Sequence, residues 1–330
     1  MPKRWFIIGS NSFSGASFIS HLLEKGETVA GCSRSKEAFD AFLPYKWIPQ
    51  SNEFIFHQLD LNSDTDQIIN VIRENQSEYV VNFAAQSMVA ESWLYPDQWY
   101  QTNVVANVRL HEELRKIKNI NKYVHVTTPE VYGTCSGDVK EDAPYNPSTP
   151  YAASRAACDL HLMTFYKQYK FPVVFTRAAN VYGPGQQLYR IIPKTIFCIR
   201  LGVKLPLHGG GISVRSFINM NDVSEATRLI AEDGILGDTY HISTFRMVSI
   251  RELVEMVCSS MGVRFDDVVE LAGERPGKDS AYRLDSSKVR NELGWQDKIS
   301  LENGIAEVVA WIEKYWDQIK GMKPEYRHKE

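Results

Sequence analysis

Cysteine is scarce in this chain. It occurs five times in 330 residues, at positions 32, 135, 158, 198 and 258, and never as a Cys-x-x-Cys pair. A secreted disulfide framework and a zinc-thiolate cluster are therefore not expected, and a reducing, cytoplasmic setting is. The eight histidines form no helical ligand pair, so no metal is expected from their spacing. Basic charge is not in excess either: the net charge is −3 and the pI about 6.3, which argues against a nucleic-acid partner. No apolar run reaches the ~18 residues of a membrane-spanning helix. The first one, Trp5 to Ile8, is too short for a signal-peptide core.

What the chain does have is a large stock of core residues, 44% hydrophobic with seven Trp and fifteen Phe. The first half alternates short apolar runs with amphipathic segments. "RWFIIG", "ETVAGCSR", "EFIFHQLD", "YVVNFAA", "KYVHVTT" and "FPVVFTRA" read as strands. "FSGASFISHLLEKG", "TDQIINVIREN", "DQWYQTNVVANVRLHEELRKI" and a segment beginning near Tyr151 read as helices. Strands this apolar are buried on both faces, which predicts an α/β fold with a doubly wound parallel sheet under helices. After about residue 180, Gly and Pro become frequent and the elements shorten. Residues 1–178 are read as the nucleotide-binding domain, and 179–330 as a smaller, loop-rich substrate domain with some segments returning to the sheet.

"GSNSFSG" lies between the first strand and the first helix. Gly9 permits a tight turn, Gly15 allows close helix–strand packing, and the helix N-terminus offers N–H groups to a pyrophosphate. Asn11, Ser12 and Phe13 complete the loop, with Ser12 standing where a glycine is usual and setting the loop further from the phosphates. The second strand ends at Ser33 and Arg34, which suit the 2′-phosphate of NADP better than the ribose hydroxyl of NAD, the alternative. Asp60 and Leu61 are placed to meet the adenine.

Downstream, "VHVTTPEVYG" ends a strand on Thr128, Pro129 and Glu130, and "PYAASRAACDLH" sets Tyr151 one helical turn before Arg155. A cation beside a phenol favours phenolate and lowers its pKa.

These stretches, with "NFAAQS", "RAANVYGPGQ", "RSFINMNDV" and "ERPGKD", resemble the extended short-chain dehydrogenases/reductases that act on nucleotide sugars, which build on a Rossmann sheet. "NFAAQSMVAES" and the strand-end glutamate most resemble the 4,6-dehydratases. The resemblance implies oxidation at C4 of a hexose, loss of water across C5 and C6, and hydride return to C6. It makes Tyr151 the base at the C4 hydroxyl, Thr128 a hydrogen-bond partner of the same oxygen, and Glu130 the base at C5. It places Ala84, Ala85, Gln86, Tyr151 and Arg155 at the cofactor and Gln86 and Ser87 at the sugar end of the pocket. Asn180, Lys194, Arg215 and Arg275 would hold the nucleotide diphosphate, and Leu205 and His208 are further substrate-binding residues. "TTPEVYG" with "YAASRAA" looks most like GDP-N-acetylglucosamine 4,6-dehydratases of legionaminic acid synthesis; GDP-mannose, UDP-N-acetylglucosamine and dTDP-glucose stay open as donors.

Two departures touch the chemistry. Arg155 stands where the family has lysine, and Pro129 where its dehydratases have the aspartate that protonates the departing C6 hydroxyl. A nucleotide-hexuronate decarboxylase, a 4-epimerase and a non-catalytic NADP-binding scaffold are the competing functions. The resemblance also implies a homodimer through a four-helix interface, built from the helix near 97–118 and the one starting at Tyr151. Val104, Val105, Val108, Ala152, Ala156 and Ala157 are its candidate contacts.

Overall fold

Hydrophobic alternation sets the architecture, and the first strand shows how. In the computed structural model, which describes residues 2–135, 137–273 and 283–329, Trp5 and Ile7 point to one face of the sheet and Phe6 and Ile8 to the other. All four are essentially inaccessible. A strand buried on both faces needs helices above and below, and the chain supplies them in order.

The elements are β1 (Arg4–Ile8), α1 (Phe13–Glu24), β2 (Thr28–Ser33), β3 (Ile55–Gln58), α2 (Thr65–Glu74), β4 (Tyr79–Asn82), α3 (Pro96–Tyr100), α4 (Asn107–Leu114), β5 (Lys122–Val126), β6 (Asp138–Val139), α5 (Pro150–Tyr169) and β7 (Val173–Ala178). Then come β8 (Asn180–Tyr182), α6 (Ile191–Leu201), β9 (Leu205–His208), β10 (Val214–Asn219), α7 (Met220–Asp233), β11 (Thr239–Ile242), β12 (Met247–Ser249) and α8 (Ile250–Ser260). The chain ends through α9 (Phe265–Val268), β13 (Val269–Ala272), β14 (Arg283–Leu284), α10 (Ser287–Leu293), α11 (Leu301–Lys314) and α12 (Trp316–Ile319).

Seven strands form one parallel sheet in the order β11-β7-β5-β4-β1-β2-β3. One face packs on α1 and α7 through Phe18, Leu22, Ala226 and Ile230; the other packs on α2, α4 and α5 through Ile68, Leu110 and Leu162. The expected doubly wound fold is therefore what the chain adopts. The order reverses between β1 and β4, the kind of position where open α/β sheets bind ligands.

The later residues build a separate core of α6, α8 and α11, around Ile192, Ile196, Leu253, Val257, Ile305 and Val308. Two of their segments return to the sheet: α7 covers one face and β11 adds the edge strand beside β7. Asp222 in α7 anchors the return, its carboxylate accepting the Lys298 and Ile299 N–H groups at 3.0 Å each.

The long helix read over 97–118 is not continuous α-helix. A π-helical turn, Gln101–Ala106, separates α3 from α4. Such turns favour functional positions, and this one rotates Asn103 inward, fully buried.

Burial holds His111, His125 and His241 neutral, below the ordinary value of 6.5, His241 near 3. Below about pH 6.5 an unfolded chain protonates these rings and the native one does not, so the stability they carry is lost as pH falls. Each is expected to add up to about 1.4 kcal/mol of loss per pH unit. Urea midpoints measured from pH 7 to pH 5 check this: His241→Gln should flatten the slope by one histidine's share, and an unchanged slope would contradict it.

Candidate active site

Gly9 ends β1 with a φ of +85°, and a Cβ there would stand 2.8 Å from the Ala84 nitrogen. A Cβ on Gly15 would stand 2.3 Å from the Gly9 oxygen. Only glycines fit, so the turn is drawn tight and α1 starts against it. Ser12 does not merely occupy a glycine position. Its hydroxyl caps α1, accepting the Gly15 N–H at 3.0 Å and donating to the Gly9 carbonyl at 2.7 Å. Phe13 is buried in the core beneath. Asn11 is braced by Ser33, whose hydroxyl accepts its N–H at 3.0 Å, and by the Ser35 carbonyl at 2.9 Å. Asp60 closes its own turn by accepting the Asn62 N–H at 2.9 Å, while Leu61 packs in the core. These two therefore offer an adenine little more than an edge.

Ala84 donates its N–H to Asn82 Oδ1 at 2.9 Å. Asn103 holds Gln86 from both sides: its Oδ1 accepts the Gln86 N–H at 2.9 Å and its Nδ2 donates to the Gln86 carbonyl at 3.0 Å. The same Nδ2 reaches Ser154 Oγ on α5 at 3.0 Å, tying the Gln86 segment to the helix that carries Tyr151. Ser87 is exposed.

Thr128, Glu130, Tyr151 and Arg155 are brought together as expected. Thr128 caps a short 3₁₀ turn, Pro129–Tyr132, accepting the Glu130 N–H at 3.3 Å. Proline suits the first position of such a turn, where its missing N–H costs nothing and its φ is already set. Gly133 closes the turn, since a Cβ would stand 2.1 Å from the Asn146 oxygen. Tyr151 lies in the field of Glu130 and of both Arg155 and Arg190, and Thr128 favours its ionised form. The expected lowering of the phenol is not the net result. Burial dominates and raises Tyr151 above 10.0, with Arg155 pulling against it. Arg155 is 2% exposed; it donates to the Val126 carbonyl, and its Nε and Nη1 are buried without a partner among the described residues. Donors held inward in this way suit ribose hydroxyls. With the glycine turn, they fit a nicotinamide dinucleotide.

A second ring of residues, silent in the sequence, positions these four. Asp159, eight residues after Tyr151 on α5 and wholly buried, accepts from Thr127 Oγ1 at 3.0 Å, Arg177 Nη2 at 2.9 Å and Tyr145 OH at 3.3 Å. Arg177 also donates to the hydroxyls of Tyr132 and Tyr145, and Tyr132 meets His241 Nε2 at 2.8 Å. Aspartate and arginine mid-element give no pattern to read; only the fold joins them.

The expected substrate-binding residues are spread more widely. Asn180 donates to the Ser216 carbonyl at 3.2 Å, tying β8 to β10. Lys194 lies on α6, half-buried. His208 Nδ1 meets the Gly273 carbonyl at 2.9 Å, and Arg215 Nη1 donates to the Val214 carbonyl at 2.8 Å. The Leu205 side chain is buried in a satellite core with Cys198 and Val254, so it presents no side chain to a ligand. Arg275 lies outside the described residues. Of the helix positions expected at a partner, Ala152 and Ala156 are buried in this chain's own core and unavailable. Val105 is exposed, and Tyr100 and Leu160 are further exposed apolar positions on the same helical segments.

The C-terminal segment was not anticipated here. The Lys329 carbonyl accepts from Arg34 Nη2 at 3.0 Å and from Gln86 Nε2 at 2.8 Å. The His328 ring stacks on Tyr95 and Trp99, at 5.0 and 5.3 Å between centroids. Two residues read as cofactor contacts are thus held by main chain.

Comparison with known proteins agrees with this geometry. The profile of the GDP-mannose 4,6 dehydratase family matches residues 6–308. The chain is 31% identical to the dTDP-glucose 4,6-dehydratase of Xanthomonas campestris pv. campestris, over 93% of this chain and 92% of that one. It is also 31% identical to a trifunctional UDP-glucose 4,6-dehydratase of Arabidopsis thaliana, over 97% of this chain and 49% of that protein. The dTDP-glucose 4,6-dehydratase of Streptomyces venezuelae, solved with NAD bound, superposes with a TM-score of 0.87 at 29% identity, covering 96% of this chain and 98% of that one. The NAD complex of the Bacillus anthracis enzyme gives 0.85 at 29%, with the same coverage. The chain belongs to the nucleotide-sugar 4,6-dehydratases of the extended short-chain dehydrogenase/reductase family.

Proposed function

We propose that this protein converts a nucleotide-activated hexose to its 4-keto-6-deoxy derivative, with Tyr151, Thr128, Arg155 and Glu130 as the catalytic residues. The observation that supports this best is Glu130, carried on a rigid turn into the same charge field as Tyr151. A nicotinamide cofactor held by the Gly9–Gly15 turn and the inward donors of Arg155 would supply the hydride acceptor for C4 and the hydride donor for C6. Tyr151, as phenolate, takes the C4 hydroxyl proton, and Thr128 hydrogen-bonds the same oxygen. Glu130 then removes the C5 proton, acidic once C4 is a ketone. With Pro129 in place of an acid, Glu130 hands that proton to the C6 oxygen, which leaves as water. Once C6 has received hydride, the resulting enolate takes a proton at C5 from Glu130, reprotonated from solvent, and the proton on Tyr151 passes back to solvent. Microscopic economy of this kind needs both atoms on one face of the sugar, within reach of one carboxylate.

The cofactor reading is NADP, on Ser33 and Arg34; the solved relatives above carry NAD. The donor reading is GDP-N-acetylglucosamine, on "TTPEVYG" with "YAASRAA"; the named relatives are dTDP-glucose and UDP-glucose enzymes. Mass spectrometry of a donor panel (GDP-, UDP- and dTDP-hexoses) tests the donor, with loss of one water from one of them expected, and the mass of the nucleotide released on denaturing the protein tests the cofactor. A 4-epimer of unchanged mass, or loss of carbon dioxide from a hexuronate, would replace the reading. We place the enzyme in the cytoplasm as a homodimer through α4, α5 and the π-helical turn, with Val104, Val105, Val108, Ala157 and Leu160 as contacts. Sedimentation of the wild type against Leu160→Glu tests the interface.

Glu130→Gln is expected to slow dehydration by about 10²–10⁴-fold while hydride transfer from C4 persists, seen as reduced nicotinamide that accumulates. Full-speed water loss in that variant would remove Glu130 from the mechanism. The acidic limb of the kcat profile is expected to follow the Tyr151 phenol, with activity rising as pH rises. Removing the guanidinium in Arg155→Met takes away the charge that opposes burial, so the limb should move to higher pH. Arg155→Lys should leave it near the wild-type position. A limb indifferent to residue 155 would show that another group is the base.

A further inference from the structure

Beneath α4 and α5, on the sheet face that they cover, three metal-ligating side chains converge. His111 from α4, His125 from β5 and Cys158 from α5 are all buried, and one ligand atom from each lies within 4.8 Å of the others. The residues come from three separate elements, which is why their sequence spacing carries no sign of them. His111 Nδ1 and both nitrogens of His125 are buried without a hydrogen-bond partner among the described residues. Buried polar atoms in native folds nearly always have partners, and an orphan asks for a water or an ion. His161, stacked on His111 at 5.5 Å, adds a fourth such atom in its Nε2.

The surroundings suit ligation. Burial keeps His111 and His125 in the neutral form that binds metals. The Tyr123 hydroxyl lies 2.9 Å from His111 Nε2, and Asp159 Oδ1 lies 3.5 Å from His125 Nε2, the latter a contact without hydrogen-bond geometry. Phenol and carboxylate oxygens beside imidazoles are typical outer-shell groups of metal-bound histidines. Zinc with bonds of about 2.0–2.3 Å holds its donors roughly 3.3–3.8 Å apart, so the three atoms need only a closure of about 1 Å.

We propose that His111, His125 and Cys158 form a binding site for a thiophilic transition-metal cation of the zinc class, bracing α4, β5 and α5 together. Binding forms two metal–nitrogen bonds and one metal–sulfur bond. The Cys158 thiol gives its proton to solvent, and His161 or a water completes a tetrahedron. No electron changes hands. Arg155 and Arg177 both lie in the field of His125 and oppose added positive charge. The thiolate offsets one unit of that charge, so affinity is expected below that of an all-cysteine site. Cys158 stands one turn from Arg155 on α5, and the ion would fix the helix segment that carries the arginine.

Co²⁺ serves as the probe, added to chelator-stripped full-length protein. One equivalent per chain is expected to produce the sulfur-to-cobalt charge-transfer band and intense tetrahedral bands, all bleached by Zn²⁺. Cys158→Ser should abolish the charge-transfer band, and Cys158→Ala repeats the test if the serine variant does not fold. His125→Gln should weaken Co²⁺ binding at least tenfold, and Cys135→Ser should change nothing. Absence of the band in folded wild-type protein, or its survival in the position-158 variants, would overturn the site. So would a folded protein whose orphan nitrogens bind ordered water alone in a crystal grown with Zn²⁺. The outcome is independent of the dehydratase reading, because Co²⁺ binding is scored without substrate.

Discussion

The buried carboxylate of Asp159 is the constraint on which the arrangement of Thr128, Glu130 and Tyr151 depends. It sits on α5 eight residues after Tyr151, roughly 12 Å along the axis at 1.5 Å per residue, and it joins the helix to the strand ends. Thr127 hands it a hydroxyl one residue before Thr128; Arg177 reaches it from the next strand; Tyr145 reaches it from the loop that closes over the Glu130 turn. A charge buried this deeply costs several kcal/mol to desolvate, and the pairing with Arg177 only roughly offsets that. Stability is therefore a poor explanation for it. Position is a better one. With the carboxylate fixed, the pitch of α5 determines where the Tyr151 hydroxyl arrives, and the Thr127 tether determines where Thr128 receives it.

The same logic explains what was readable in the sequence. Strand alternation at Trp5–Ile8 and the apolar runs of β4, β5 and β7 are local patterns with a strong burial signal, so the parallel sheet and its helices could be read directly. Gly9 and Gly15 were readable for a similar reason: each is required by a close approach to backbone. Thr128, Glu130 and Tyr151 came from short motifs at strand and helix ends. Asp159, Arg177, Asn103 and His241 could not be found in this way. Each is polar and internal to an element, and its partners lie 14 to 109 positions away in the chain. Ala152 and Ala156 failed for another reason: small apolar residues look alike whether they face a partner or the chain's own core. The β11 return and the contact of Lys329 with Arg34 and Gln86 are likewise long-range facts.

Tyr151 shows how opposing electrostatic effects resolve in a closed site. A guanidinium one turn away favours the phenolate, yet the phenol is 8% exposed, and the loss of hydration outweighs a single charge. Arg190, exposed at the start of α6, adds a second positive charge from the substrate domain. Positive charge thus reaches the tyrosine from both halves of the chain, and burial still outweighs it. An arginine at 155 suits that setting. It keeps its charge while buried, and its fork leaves two donors over for a ligand after one bonds the Val126 carbonyl.

Pro129 then has a structural meaning that does not depend on acid chemistry. The Thr128–Gly133 segment must turn at once from a buried strand, put a hydroxyl and a carboxylate on one side, and leave no main-chain N–H unpaired. Proline at the first position of the 3₁₀ turn removes the N–H that would be orphaned and fixes φ before folding begins. Thr128 caps the next N–H, and Gly133 passes the Asn146 carbonyl where no side chain could. An aspartate at 129 would bring a second carboxylate beside Glu130, with like-charge repulsion raising the pKa of one of the two. With proline there, only one carboxylate occupies the turn, and its geometry is set by three residues that have almost no freedom.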